Sequence, residues 1–165
     1  MFEVMDLSDG LVAHYNNLVM PRSMGGVKIS EDTSTLLSKE HIKEFVIPYL
    51  TKILEYFGGG WVHWCGKNDH LFEALLDVSL AYCINFGNPE KHDMEYVLRK
   101  TAERNKIYHG CFVPSHGEKW EDYFCWMREA TIGTDGILKV IPIVNCTTKD
   151  RTEIMTAWEK VMKYK

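Results

Sequence analysis

The sequence predicts an α/β fold of about five βα units, with a mostly parallel sheet and helices outside it, in a single domain spanning residues 1–165. Three observations predict it. Five short β-prone runs alternate with five stretches of helical periodicity. Helix-capping residues and glycine breaks fall between them. Polar and metal-capable residues gather at the carboxyl ends of the predicted strands, where parallel sheets bind their ligands.

Val27-Lys28-Ile29-Ser30 is the first β-prone run. Ser38 caps a helix predicted from Lys39 to about Phe57, which Pro48 kinks or breaks. Gly58-Gly59-Gly60 ends it, and a strand follows over Trp61–Cys65. A short helix runs from about Leu71 to Leu76 with Asp69 as its cap. Tyr82–Phe86 reads as the next strand. Asn88-Pro89-Glu90 starts a helix to about Arg104, because Asn caps, Pro suits the first turn and Glu suits the positive end of the dipole. Ile107–Cys111 is a strand, Trp120 to about Ala130 a helix and Gly136–Ile141 a strand. A last helix is predicted over Lys149–Tyr164, capped by Thr148. Ahead of all these, Met5 to about Val19 is amphipathic and reads as a helix that Gly10 and Asn16-Asn17 weaken.

Composition narrows the function classes. The 19 basic and 23 acidic residues give a net charge of -4 without a basic cluster, which argues against nucleic acid as a partner. No apolar run approaches the roughly 20 residues of a membrane span, and the start Met-Phe-Glu-Val-Met-Asp is unlike a signal peptide, so the expected compartment is the cytoplasm. Five cysteines, an odd number without compact spacing, argue for reduced thiols.

The stretch richest in chemistry is Gly58-Gly59-Gly60-Trp61-Val62-His63-Trp64-Cys65-Gly66. Side chains alternate along a strand, so Trp61, His63 and Cys65 share one face and Val62 and Trp64 the other. An imidazole and a thiol are both zinc-ligand types, and side by side they need one or two more ligands from elsewhere to make a site; a lone His-x-Cys also occurs by chance, and a free cysteine often serves as a small buried hydrophobe. Trp61 can line a cavity for a flat macrocycle and Trp64 faces the helices as core, though ordinary packing explains both. His109 and Cys111 form a second His-x-Cys at another strand end. Glu31 and Asp32 close the first strand; one can transfer a proton or orient a substrate, or an Asp there can bond the backbone amides of the following turn. Asn85 is free to contact a ligand, and Asn88 is a helix cap. Cys83 and Cys125 suit packing roles. His14, His41, His70, His92 and His116 fall on predicted helices or loops, where solvation or packing explains them.

Several of these segments together resemble the uroporphyrinogen decarboxylase superfamily: Gly26-Val27-Lys28-Ile29-Ser30-Glu31-Asp32, Leu36-Leu37-Ser38-Lys39-Glu40, Phe45-Val46-Ile47-Pro48-Tyr49-Leu50, His63-Trp64-Cys65-Gly66 and Asn85-Phe86-Gly87-Asn88-Pro89-Glu90. The His-x-Cys-Gly strand is similar to its corrinoid- and thiol-dependent methyltransferase branch. The resemblance implies that the five units are the later part of a (β/α)8 TIM-type barrel, hence a partial barrel. It also implies zinc held by His63, Cys65 and Cys146, methyl transfer from a methylated corrinoid on a partner protein to a thiol, and Glu31-Asp32 as the family's acidic pair. His109 and Cys111 stand as alternatives to Cys146. Full members are about twice as long, and their N-terminal arginine-rich motif has no equivalent here. A homo-oligomer, or a chain supplying the missing half barrel, is therefore expected. Two further expectations stand beside methyl transfer: a metal-free tetrapyrrole decarboxylase, and a non-enzymatic corrinoid- or partner-binding half barrel.

Overall fold

A computed structural model describes residues 5–7, 11–14, 18–21, 26–111, 114, 117–144, 147–148 and 150–163. The chain divides into two compact units, Met1–His92 and Asp93–Lys165.

The first unit opens with an antiparallel meander of β1 (Met5–Leu7), β2 (Leu11–His14) and β3 (Leu18–Pro21). This corrects the helix expected over Met5–Val19. Leu11-Val12 and Leu18-Val19 bring β-favouring residues, and Gly10 and Asn16-Asn17, weak in a helix, fall between the strands in sequence. Next come β4 (Val27–Ser30), α1 (Lys39–His41), a π turn (Ile42–Val46), α2 (Ile47–Phe57), β5 (Gly60–Trp64), α3 (Asp69–Leu76) and β6 (Ala81–Phe86). The strands β4, β5 and β6 are parallel, with Ser30 paired to His63 and His63 to Asn85. Long helical connections are what parallel pairing requires.

Ser38 caps as expected, its hydroxyl accepting from the His41 amide at 3.3 Å. Pro48 acts through the turn before it. A proline has no amide to donate four residues back, and here the ladder widens, the Ile47 N–H reaching the Ile42 carbonyl. The buried residues Ile42, Val46, Leu50 and Leu54 recur every fourth position and face one side. In a regular α-helix such a row drifts by about 40° per step; the widened turn offsets part of that drift.

The cap of α3 is Asn68, one residue before the expected Asp69. Its side-chain oxygen accepts from the Leu71 amide at 3.0 Å, while its NH2 donates to the carbonyls of Ser34, Thr35 and Leu37. Trp64 is fully buried and meets Phe86 edge-on, centroids 4.6 Å apart, which bears out its assignment to the core.

The second unit holds α4 (Met94–Glu103), β7 (Ile107–Cys111), α5 (Trp120–Thr131), β8 (Val140–Ile143) and α6 (Arg151–Lys163). Strands β7 and β8 are parallel, Tyr108 pairing with Val140 and Cys111 with Ile143. α5 packs against both α4 and α6, and Phe124 meets Trp158 edge-on at 5.3 Å. Three boundaries move. Asn88-Pro89 opens only a 3-10 turn over Pro89–Lys91, and α4 starts after Asp93, whose carboxylate accepts from the Tyr96 amide at 3.1 Å. The last strand begins at Val140 rather than Gly136, because Asp135 takes the Ile137 amide at 3.0 Å and the Lys139 ammonium at 2.7 Å, closing a turn. Finally, α6 begins at Arg151, so the place before its first turn belongs to Asp150 and not to Thr148; Lys149 and Tyr164 lie outside the described residues. Both units are thus α/β with parallel strands and intervening helices. Among the described residues, no helix is long and apolar enough to cross a membrane.

Candidate metal centre

The site lies in the first unit, at the carboxyl ends of β4 and β5. Parallel pairing sets Ser30 beside His63, so Asp32 and Cys65, each two residues further on, also come together. The Cys65 amide donates to the Asp32 carboxylate at 2.6 Å. Three donor atoms, one each from Asp32, His63 and Cys65, lie within 4.8 Å of one another.

His63 is aimed by its strand neighbour. Its Nδ1 is hydrogen-bonded to the Asn85 side-chain oxygen, which makes Nδ1 the protonated nitrogen and leaves the Nε2 lone pair for the site. That Nε2 stands 3.5 Å from Cys65 Sγ and 4.0 Å from an Asp32 oxygen. Zinc bonds of about 2.0–2.1 Å to nitrogen and 2.3 Å to sulfur, at a tetrahedral angle, put those two ligands about 3.6 Å apart. The sulfur–nitrogen pair therefore has the separation of two zinc ligands, and Asp32 needs a movement of about 0.6 Å to reach the corresponding oxygen–nitrogen distance.

The turn carrying Cys65 is held from three directions. Besides the Asp32 contact, the Gly66 amide donates to Asn88 Oδ1 at 2.9 Å, and His92 Nε2 donates to the Gly66 carbonyl at 3.2 Å. Gly66 takes φ +91°, a conformation natural to glycine, which turns the chain away directly after the thiol. His92 is packed, as expected, its ring stacked on Phe86 with centroids 4.1 Å apart. Gly87 completes the setting. A Cβ there would lie 2.5 Å from Cys65 Sγ, so only glycine leaves the sulfur its place.

Desolvation pushes the Cys65 thiol above its ordinary range, and the Asp32 carboxylate adds to this by its charge and a hydrogen bond. An isolated thiol here stays protonated at neutral pH. A cation would reverse that balance, since it draws on the thiolate and carboxylate charges together.

The other expected site residues are distributed as follows. Glu31 turns to Ser34, whose hydroxyl donates to it at 2.6 Å, so the acidic pair splits: Asp32 joins the centre and Glu31 secures the turn. Trp61 is buried, with the Lys28 ammonium 4.8 Å from its ring centroid. Asn88 bonds the Gly66 turn and Glu90 in place of capping a helix. Cys146 and Asn145 lie outside the described residues. His109 is buried on β7 in the second unit, and the Cys111 side chain lies outside the described residues. Cys83 is buried, and burial pushes its thiol far up, as suits packing; Cys125 is instead exposed. Cys65, Cys83 and Cys125 are free thiols.

The sequence singled out His63 and Cys65 as candidate ligands, and the structure brings their donor atoms together with that of Asp32, whereas sequence alone assigned Asp32 and Asn85 other roles and none to Gly87. The available signal for Gly87 was its position one residue past a strand end, beside the His-x-Cys strand.

Comparison with protein-family models, curated proteins and solved structures returns no match.

Proposed function

We propose that Asp32, His63 and Cys65 hold a zinc ion, and that the centre serves methyl transfer from a methylated corrinoid to a thiol. The observation that carries the metal reading is the convergence of a carboxylate, an imidazole nitrogen and a thiol within 4.8 Å, with the imidazole aimed by Asn85. The donor set fits. One thiolate and one carboxylate balance a divalent charge, and nitrogen and sulfur suit a borderline-soft ion.

Asp32 also discriminates against a metal-free alternative. Cys65, His63 and Asn85 form a nucleophile–base–orienter chain of the kind found in cysteine hydrolases. A carboxylate bonded to the Cys65 amide opposes thiolate formation, which disfavours a free nucleophile and favours a cation site.

Zinc with an open fourth position would act as a Lewis acid that lowers the pKa of a substrate thiol. The chain's own part is orientation: Asn85 fixes the His63 tautomer, and Asn88, His92 and Asp32 fix the Cys65 turn. The choice of methyl transfer rests on the resemblance of the His-x-Cys-Gly strand. In that reaction the thiol proton leaves to solvent and a sulfur–methyl bond forms. The cobalt–carbon bond breaks with its electron pair remaining on cobalt.

Zinc stoichiometry tests the centre, on protein purified without a metal-affinity tag and beside a His63→Ala, Cys65→Ala double variant. Near-equimolar zinc that the variant loses is the expected result. Folded, zinc-free protein, or a variant retaining the metal, refutes the site. Methylcobalamin and a small thiol, followed by the corrinoid spectrum, then test the reaction; zinc-loaded protein that leaves methylcobalamin unchanged refutes methyl transfer from a free corrinoid while leaving the metal site standing.

A further inference from the structure

The turn that leads from α5 into β8 is built on a chemically fragile bond. Asp135-Gly136 is one of two Asp-Gly sequences in the chain; the other, Asp9-Gly10, lies outside the described residues. Among aspartyl residues, one followed by glycine is the most open to attack on its side-chain carboxyl by the next backbone amide, because glycine brings no side chain to shield that nitrogen. Both residues are exposed. The turn needs them nonetheless. Gly136 stands at φ +75°, a conformation natural to glycine, and Asp135 closes the turn through both carboxylate oxygens.

Each reacting group is held in a hydrogen bond. The Gly136 amide, which would be the nucleophile, donates to the Gly133 carbonyl at 2.9 Å. One oxygen of Asp135 accepts from the Ile137 amide at 3.0 Å and the other from the Lys139 ammonium at 2.7 Å. Lys139 is buried, and its hydrogen bond and charge hold the Asp135 carboxyl below its ordinary range, in the ionised form that is the poorer electrophile. Gly133 gives the lysine its path, since a Cβ there would lie 2.5 Å from Lys139 Cε and 2.9 Å from an Asp135 oxygen. Around them, the Gly133 amide donates to the Ile137 carbonyl at 2.9 Å and the Lys139 amide to that of Thr131 at 2.7 Å.

We infer that Asp135-Gly136 is a latent modification site, kept closed by the folded turn and converted to isoaspartate when the turn opens. In the open turn the Gly136 nitrogen bonds to the Asp135 side-chain carboxyl carbon. The carboxyl hydroxyl and the amide hydrogen leave together as water, and a cyclic succinimide forms. Water then adds to either ring carbonyl. One opening restores aspartate, and the other runs the main chain through the side-chain carbon as isoaspartate; no electrons change hands and water is the only co-reactant. The extra backbone carbon moves the carboxylate away from Ile137 and Lys139, so β8 loses the turn that leads into it.

Ageing the full chain at neutral pH, folded and in guanidinium chloride, tests the inference. Liquid chromatography with mass spectrometry follows the peptide carrying residues 135 and 136, whose isomers share one mass and differ in retention. The expected result is isoaspartate forming at least about tenfold more slowly in the folded chain than in the unfolded one, because opening of the turn gates the reaction. Lys139→Met should raise the folded-state rate at least about threefold, and that gain should stay level in denaturant below the unfolding transition, as a local opening requires. Equal rates in folded and unfolded wild type overturn the inference, and so does an unfolded chain that forms no isoaspartate. A folded Lys139→Met protein that ages at the wild-type rate, or whose gain climbs with denaturant as global unfolding does, overturns it as well.

Discussion

His63 on β5 and Asn85 on β6 face one another across a parallel register, and the amide oxygen of Asn85 is hydrogen-bonded to His63 Nδ1. Removing that partner frees the ring to rotate and leaves a half-buried N–H to find another acceptor. Asn85→Ala should weaken zinc about 10–100-fold, the usual effect of losing an orienting partner, while Asn85→Asp, which keeps the acceptor, should lose much less. Competition against a chelator of known affinity measures both; equal losses in the two variants would remove the orienting role.

Cys65 would make zinc binding at the proposed centre depend on pH in a known direction. Its thiol is raised by desolvation and by Asp32, so the apo protein holds this proton more tightly than the unfolded chain. The stability linked to it is present below the ordinary thiol pKa and is lost as pH rises through the raised value. Zinc must displace the proton, so its affinity should increase with pH across the neutral range. Asp32→Asn should speed alkylation of Cys65 at neutral pH and at the same time reduce zinc retention. Measured in a Cys125→Ser background by mass spectrometry, alkylation should spare buried Cys83. Slower alkylation in Asp32→Asn would contradict the electrostatic account.

Gly87→Ala tests the space around the sulfur. The added methyl would sit 2.5 Å from Cys65 Sγ, and the sulfur has to move away from His63 to relieve it. We expect loss of zinc with a stability cost of about 1–3 kcal/mol, typical of overpacking. Zinc content and urea unfolding report the two effects, and full zinc occupancy in a folded variant would show that the sulfur's place is not critical.

Asn68 ties α3 to the segment that carries Asp32. Its side chain caps the helix and donates to three carbonyls of residues 34–37. Asn68→Ala removes a cap worth about 1 kcal/mol and strands buried carbonyls at about 1–3 kcal/mol, so a loss of about 2–4 kcal/mol in urea unfolding is expected. Asn68→Asp, which keeps the cap and loses the donors, should fall between; a loss below about 1 kcal/mol in Asn68→Ala would mean water replaces those contacts.

Much of the fold was legible because it rests on short-range pattern. The β-branched run Val27–Ser30 and the run Ile107–Cys111 are strands with the expected bounds, and Ser38 caps as its position suggests. The boundaries that moved depend on partners distant in sequence. Asn68 and Asp69 have equal capping chemistry, and what selects Asn68 is the cluster of carbonyls 31–34 residues away. The same holds in the site. Alternation put His63 and Cys65 on one face, but recruiting Asp32 and Asn85 needs the register of three strands, which no local pattern encodes. Over Met5–Val19 the apolar spacing suited a helix, and strand pairing within the segment overrode it.

The π turn before Pro48 acts as a spacer that keeps two rows in step at once. Ile42, Val46, Leu50 and Leu54 line up toward the interior because one hydrogen-bonded ring spans five residues, and Phe45, Tyr49 and Ile53 follow the same four-residue beat outside. A deletion of one residue between Ile42 and Val46 would close the widened turn into ordinary α-helix, with the hydrogen bond to the Ile42 carbonyl spanning four residues in place of five. Ile42 would then stand three residues before Val46 in place of four, so the extra residue held in this turn is what keeps the first member of the buried row in step with the rest.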